Sequence, residues 1–415
     1  MIKTRKLNCG TVMVLEHIPY VQSASIGIWA RAGAVNETKK NAGVSHLIEH
    51  MMFKGTETRS AKQIAEDADK IGSQMNAFTT KEATCYYIKT LTTNIRESVD
   101  ILMDMFLNST YDNNELAKEK LVIIEEMKMI EDSPEDDIHD IICGQVFKGM
   151  PLAQPVIGTK GSVSGITRSI IKNYIENEYT KDSIVVSVAG RYDEEELVGM
   201  FEGMFDRLKG GKTVPAHGET PHSPTYRVKV KDIEQTHICM GIRGVKIEDE
   251  RFYALMVLNN ILGGSMSSRL FQSIREEKGL AYSVYSASSS FVDDGIFSIY
   301  AAVSHEKAAD AISAIREELL KLKKEGVAAD ELSAAKEQLK GGYIFGQENV
   351  SGRMFANGKN MALLGRVYLP EEVIAGIDKV TNSGLEDASG FINDFSKYSA
   401  TIITNRKADL KKWML

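Results

Sequence analysis

Two histidines four residues apart, with a glutamate between them, are the residues of this chain best suited to chemistry: His46-Leu47-Ile48-Glu49-His50. On a helix, positions 46 and 50 fall one turn apart on a single face, and position 49 lies on the same side. Two neutral imidazoles at that spacing suit a zinc ion, and the carboxylate stands where it can take a proton from water that the metal activates. The order is the inverse of the commoner H-E-x-x-H arrangement. The chemistry implied is hydrolysis of a peptide bond. The helical wheel also admits a plainer account. Val44, Leu47, Ile48 and Met51 make one apolar stripe with His46, Glu49 and His50 opposite, as on any amphipathic surface helix. The motif alone favours zinc without securing it.

A second segment offers a third ligand. Residues 115–131 read as one long helix with Asn114 as its N-cap. On the wheel Leu116, Val122, Ile123, Met127, Met129 and Ile130 span an apolar arc, and Glu119 and Glu126 fall inside it. Carboxylates two turns apart on a buried stripe are costly unless a cation or hydrogen-bond donors meet them. Glu125 points away, toward Lys118 and Lys128. Glu126 is therefore the better third ligand, and Glu119 suits a carboxylate that orients a ligand histidine. An interhelical salt bridge to a lysine or arginine would satisfy the same carboxylates and stays open.

Seventy-five residues separate His50 from Glu126. That spacing, with the stretches HLIEHMMFKGT (46–56), NAFTT (76–80) and EKLVIIEEM (119–127), resembles the pitrilysin/insulinase family of inverted-zincin peptidases. The nearest likeness is to its short-chain, mitochondrial-processing-peptidase-like bacterial branch. The resemblance implies one zinc ion per chain, held by His46, His50 and Glu126. Glu49 would be the general base and Glu119 the supporting carboxylate. Arg275 and Tyr282 resemble the arginine–tyrosine pair with which the second domain of such proteins stabilises the oxyanion. Asn76, Ala77 and Phe78 resemble the edge strand on which their substrates lie. Without the resemblance, Arg275 reads as solvated, Tyr282 as packed near a helix end, Asn76 as a turn residue and Phe78 as core or pocket wall. The activity implied is that of a zinc metalloendopeptidase cleaving peptides or unstructured segments in a chamber between two domains. The alternative is a non-catalytic structural or peptide-binding subunit. Relatives of that kind typically lose a ligand or the base, and here all four residues are present.

The elements that must position these groups follow from pattern. Strand signals lie at 11–15 and 23–29, with a hairpin-like pair around 76–78 and 83–91. Helical periodicity covers 61–71, 95–108 and 194–205, and 183–189 reads as a buried strand. Residues 209–224 hold three glycines and three prolines and read as a linker. After it the order repeats. Strands are expected at 226–230 and 237–243, a helix at 252–262, a helix pair at 309–325 and 330–345, and a closing strand at 401–404. Glu337 stands where Glu119 stands in the first copy, but there is no second H-x-x-E-H. The expectation is α+β: two homologous domains, each a mainly antiparallel sheet covered by helices, facing across a linker. The boundaries are 1–209 (catalytic, zinc-binding), 210–225 (linker) and 226–415 (no metal motif, supplying substrate-binding residues).

Composition narrows the partners. The chain has 415 residues, 43% of them hydrophobic, and a formal charge of −7. That length and content suffice for two or three cores, and the charge disfavours nucleic acid. Cys9, Cys85, Cys143 and Cys239 are scattered without C-x-x-C pairing and read as free thiols of a reducing compartment. Residues 1–7 are not followed by an apolar signal core, and no run of eighteen apolar residues exists. The expectation is a cytoplasmic bacterial protein acting on a peptide or unfolded protein, with no nucleic-acid or membrane partner, and with a homodimer left open. His17, His139, His217, His222, His237 and His305 lack partners at ligand spacing. The acidic run 131–137 reads as a helix end and solvated loop.

Overall fold

The computed structural model describes residues 2–211 and 220–415, so half of the 210–225 linker, with His217, lies outside the described residues. The described chain divides into two compact units. In the first, six strands form one sheet: β1 (Ile2–Lys6), β2 (Val12–His17), β3 (Ser23–Ala30), β4 (Gln74–Thr79), β5 (Thr84–Leu91) and β6 (Ile184–Gly190). Their order is β1-β2-β6-β3-β5-β4. β2 and β6 run parallel, and the other neighbours are antiparallel. In the second unit β7 (Tyr226–Val230), β8 (Thr236–Arg243), β9 (Ala281–Ser290), β10 (Gly295–Val303) and β11 (Ser399–Thr404) lie in the order β7-β11-β8-β10-β9. β7 and β11 are its parallel pair. Strand for strand this is the first sheet without β1. The repeat expected from the sequence is thus a repeat of topology, down to the place of the parallel pair.

The units are not the contiguous stretches 1–209 and 226–415. Residues 129–153 belong to the second unit and residues 344–368 to the first. Helix Pro134–Val146 packs on β8 and β11, and helix Val350–Leu364 packs on β2, β3 and β6. Glycines admit both helices. A side chain at Gly27 of β3 would strike Met354, and one at Gly241 of β8 would strike Ile142 and Val146. These mid-strand glycines mark close approach of another element. Charge accompanies the fit, with inverted sign. Buried Glu16 of β2 accepts from Arg353 and Asn357 at 2.7 and 2.8 Å. In the second unit the strand carries the cation, Lys229 of β7, and the helix the anion, Asp137. An amphipathic pattern shows which face of a helix is buried but not against which sheet, so sequence alone left this exchange unseen.

The same helix corrects one residue of the acidic run at 131–137. Ser133 caps the helix, Pro134 opens it, and Asp137 is buried against Lys229. Glu135 accepts a hydrogen bond from Tyr285. Glu131, Asp132, Glu135 and Asp136 stay exposed, as expected, and Asp137 alone of the run is buried.

Candidate metal centre

The helix carrying the histidines spans Val44–Met52. Val44, Leu47, Ile48, Met51 and Met52 are fully buried in the core of the first unit. His46, Glu49 and His50 are thereby turned to the opposite, half-buried side. Gly43 precedes the helix with φ of 88° and offers no capping side chain. The cap comes from a distance: the Glu37 carboxylate accepts from Gly43 N at 2.6 Å and Ser45 N at 2.8 Å. Burial pushes Glu37 up to about 7.

The carboxylate helix spans Asn113–Asp132. Asp112, not Asn114, caps it, accepting from the backbone N–H groups of Asn114 and Glu115 at 2.8 and 3.2 Å. Its buried line is Leu116, Glu119 and Ile123. Val122 and Met129, expected within the apolar arc, are 44% and 71% exposed. They lie about a third of a turn from that line, beyond the reach of the core. Glu125 is exposed beside Lys128, while Lys118 bonds Glu115 instead.

Among the described residues, three potential metal ligands converge with their donor atoms within 4.8 Å of one another: His46, His50 and Glu126. Glu126 Oε2 lies 4.0 Å from His46 Nε2 and 3.6 Å from His50 Nε2. These gaps are too long for good hydrogen bonds. They lie near the ~3.3 Å that separates tetrahedral ligands bound at about 2 Å from zinc. Glu119 Oε2 is 3.1 Å from His50 Nδ1, and its other oxygen is 2.7 Å from Lys54 Nζ. The carboxylate therefore has both partners weighed for it, a histidine and a lysine. Accepting from Nδ1–H leaves the His50 Nε2 lone pair directed at Glu126. Burial, with His50 nearby, pushes His46 down to about 4, so this imidazole is neutral at neutral pH, as a ligand must be. Its Nδ1 is buried without a hydrogen-bond partner in the described structure. Two neutral imidazoles and one carboxylate fit the donor preferences of zinc.

Glu49 shares the face of the histidines. Thr79 Oγ1 donates to its Oε2 at 2.6 Å. Burial raises its pKa, which makes it a better proton acceptor than an ordinary carboxylate. Thr79 ends β4, the outer strand of the sheet. Successive residues of a strand face opposite ways. Ala77 lies with Thr79 on the side of the ligand helix, in the same core. Asn76 and Phe78 take the other side. The Phe78 ring meets Trp29 and Phe355 edge-on, at centroid distances of 5.6 and 5.4 Å. It thus helps seat the exchanged helix. Asn76 Oδ1 accepts from Ala77 N at 2.8 Å. Thr79, Glu37 and Lys54 were not legible as neighbours of the motif, because single residues carry no spacing signal.

Arg275 and Tyr282 belong to the second unit, and His46, Glu49, His50, Thr79, Glu119 and Glu126 to the first. A π-helical turn at Phe271–Glu277, left-handed Gly279 (φ 56°) and the start of β9 bring the pair together. The guanidinium lies 5.3 Å from the Tyr282 ring and 4.7 Å from that of Phe271, within cation–π range. Tyr282 is 75% exposed, so it is not a packed core tyrosine. The other described histidines of the second unit are held by bonds of 2.8–3.0 Å: His139 to Tyr285, His237 to Tyr300, His305 to Thr236 and His222 to the Lys397 carbonyl. His222, expected to be solvated, is therefore tethered. Among the described residues no helix is long and apolar enough to cross a membrane.

Residues 12–160 match the model of the insulinase family (peptidase family M16), and residues 165–339 match that of the peptidase M16 inactive domain. The chain is 42% identical to the "uncharacterized zinc protease YmxG" of Bacillus subtilis, over 92% of this chain and 93% of that one. It is 37% identical to an "uncharacterized zinc protease" of Rickettsia felis, over 96% and 95% of the two chains. A protease of Helicobacter pylori shares the fold with a TM-score of 0.87 at 21% identity, covering 97% of this chain and 99% of that one. A peptidase M16 inactive-domain structure from Pseudomonas fluorescens gives 0.90 at 17% identity, covering 98% of each chain. Two matched domain models in sequence, and relatives of like length named zinc proteases, place the chain in the pitrilysin/insulinase (M16) family of peptidases, in its short bacterial branch.

Proposed function

We propose that this chain is a zinc endopeptidase that hydrolyses peptides or unstructured protein segments. The observation that carries this is the convergence of His46, His50 and Glu126 with the base Glu49 beside them on one helix face. A zinc ion held by those three residues, one per chain, supplies Lewis acidity that makes water a competent nucleophile near neutral pH. Glu119 keeps His50 in the tautomer whose Nε2 can bind. Glu49 accepts the proton of the attacking water on its carboxylate and passes it to the nitrogen of the departing amine. An extended substrate adds to β4 by main-chain hydrogen bonds, which demand no particular side chains. The second unit contributes Arg275 and Tyr282, which donate to the carbonyl oxygen as negative charge develops there. A chamber between the units would admit extended chains in preference to folded ones.

The test is Glu49→Gln. An amide cannot accept the water proton, so zinc content should stay at one per chain while cleavage of an unstructured peptide falls by roughly a hundred- to ten-thousandfold. A chelator should abolish the parental activity. Parental turnover by pure E49Q protein would show that Glu49 is not the base.

A further inference from the structure

We propose that Thr79 is a positioning residue for hydrolysis: its hydroxyl aims the Glu49 carboxylate, so the strand offered to the substrate also sets the direction of the base. This rests on Glu49 being the base, as above.

Three observations carry it. The first is the bond itself. At 2.6 Å, Thr79 Oγ1 to Glu49 Oε2 is a short, charge-assisted contact. It ties one carboxylate oxygen and leaves the other for water. A glutamate side chain with no such tie would sample several rotamers. The second is how Thr79 is itself held. Thr84 sits directly across the ladder from it. The Thr84 hydroxyl is 2.8 Å from the Ala32 carbonyl and 3.4 Å from Thr79 Oγ1. The Thr84 proton thus goes to Ala32, and the single Thr79 proton goes to Glu49. A β-branched residue at this point has little χ1 freedom. The tight turn after it, with Thr80 N bonded to the Ala83 carbonyl at 2.8 Å, fixes the end of the strand. The third is placement. Thr79 is the last residue of β4, and among the described residues no strand pairs with the outer edge of β4. A peptide paired along that edge would run up to the residue that grips the base. Substrate register and base orientation would then depend on one rigid element, without a moving part between them.

The experiment compares Thr79→Val, Thr79→Ser and Glu49→Gln in the full-length zinc-loaded chain. Metal content, kcat and KM are measured on one unstructured peptide. Valine keeps the shape and removes the hydroxyl. T79V should bind zinc one-to-one and keep its KM, while kcat drops about tenfold to a hundredfold, the worth of a hydrogen bond to a charged group. T79S should recover most of that loss. A kcat for T79V equal to the parent's, beside an inactive E49Q, would overturn the inference and leave the base standing. So would equal losses in T79V and T79S, or a loss seen in zinc content or KM and not in kcat. Parental turnover by E49Q would remove the base and this inference together.

Discussion

The two units share a sheet and differ in what the first long helix after the second core strand brings to it. In the first unit that helix is Val44–Met52, apolar on one side and carrying His46, Glu49 and His50 on the other. In the second it is Phe252–Gly263, FYALMVLNNILG, which buries six of its aliphatic side chains and offers no ligand. The next comparison is between carboxylates. Glu119 is buried, with His50 and Lys54 as partners. Glu337, at the matching place in the repeat, has its side chain 71% exposed beside Lys340. The scaffold thus accepts either arrangement. A glutamate becomes buried where a histidine and a lysine converge on it, and stays in solvent where they do not.

The sharpest way to break this comparison is a ladder of carboxylate-to-amide changes read by zinc titration. Glu126→Gln removes the proposed third ligand and should weaken zinc by more than about a hundredfold, while Glu125→Gln should leave it unchanged. Glu119→Gln should cost about tenfold to a hundredfold, the usual effect of losing a partner that orients a ligand, and Glu337→Gln nothing. Equal losses at 125 and 126 would remove Glu126 as a ligand. A loss at 337 would mean that the second unit also bears on the metal.

Tyr282→Phe asks whether the second unit contributes chemistry. Removing one donor to the developing oxyanion should lower kcat on the order of a hundredfold with zinc content unchanged. Full activity would reduce the second unit to scaffold. The smallest expected effect concerns the exchanged helices. Gly358 lies against the Trp29 indole and Gly241 against Ile142 and Val146. Gly358→Val and Gly241→Val should each destabilise the fold by about 1–3 kcal/mol through overpacking, seen as lower denaturant midpoints. A loss in one variant alone would show that the two helices are not seated equivalently.

Much of this architecture was legible in the sequence where local chemistry is decisive. The strand Tyr226–Val230 and the helix Ile95–Asn108 run as their patterns predict, the one following a proline-bearing stretch and the other burying a periodic apolar face. Glu119 and Glu126 stood out because a carboxylate on an apolar face must find a partner. The exchange of helices was not legible, since a periodic pattern names no partner. Nor was the face of β4 that Phe78 occupies, which depends on register against β5. Thr79 and Glu37 act through distances set by tertiary packing, and no spacing in the chain encodes them.

The exchanged helix has a consequence for how the chain is made. The histidines, the carboxylates and all six strands of the first sheet lie before residue 191, yet the helix covering β2, β3 and β6 ends only at Leu364. A nascent chain leaving the ribosome therefore holds every candidate metal ligand long before it can cover the face bearing Gly27 and Trp29. That face stays wet, and open to chaperones, until synthesis is nearly complete. A recombinant fragment ending at residue 209 would meet the same shortage for good. A minimal fragment carrying the candidate metal centre needs residues 344–368 supplied as a second piece.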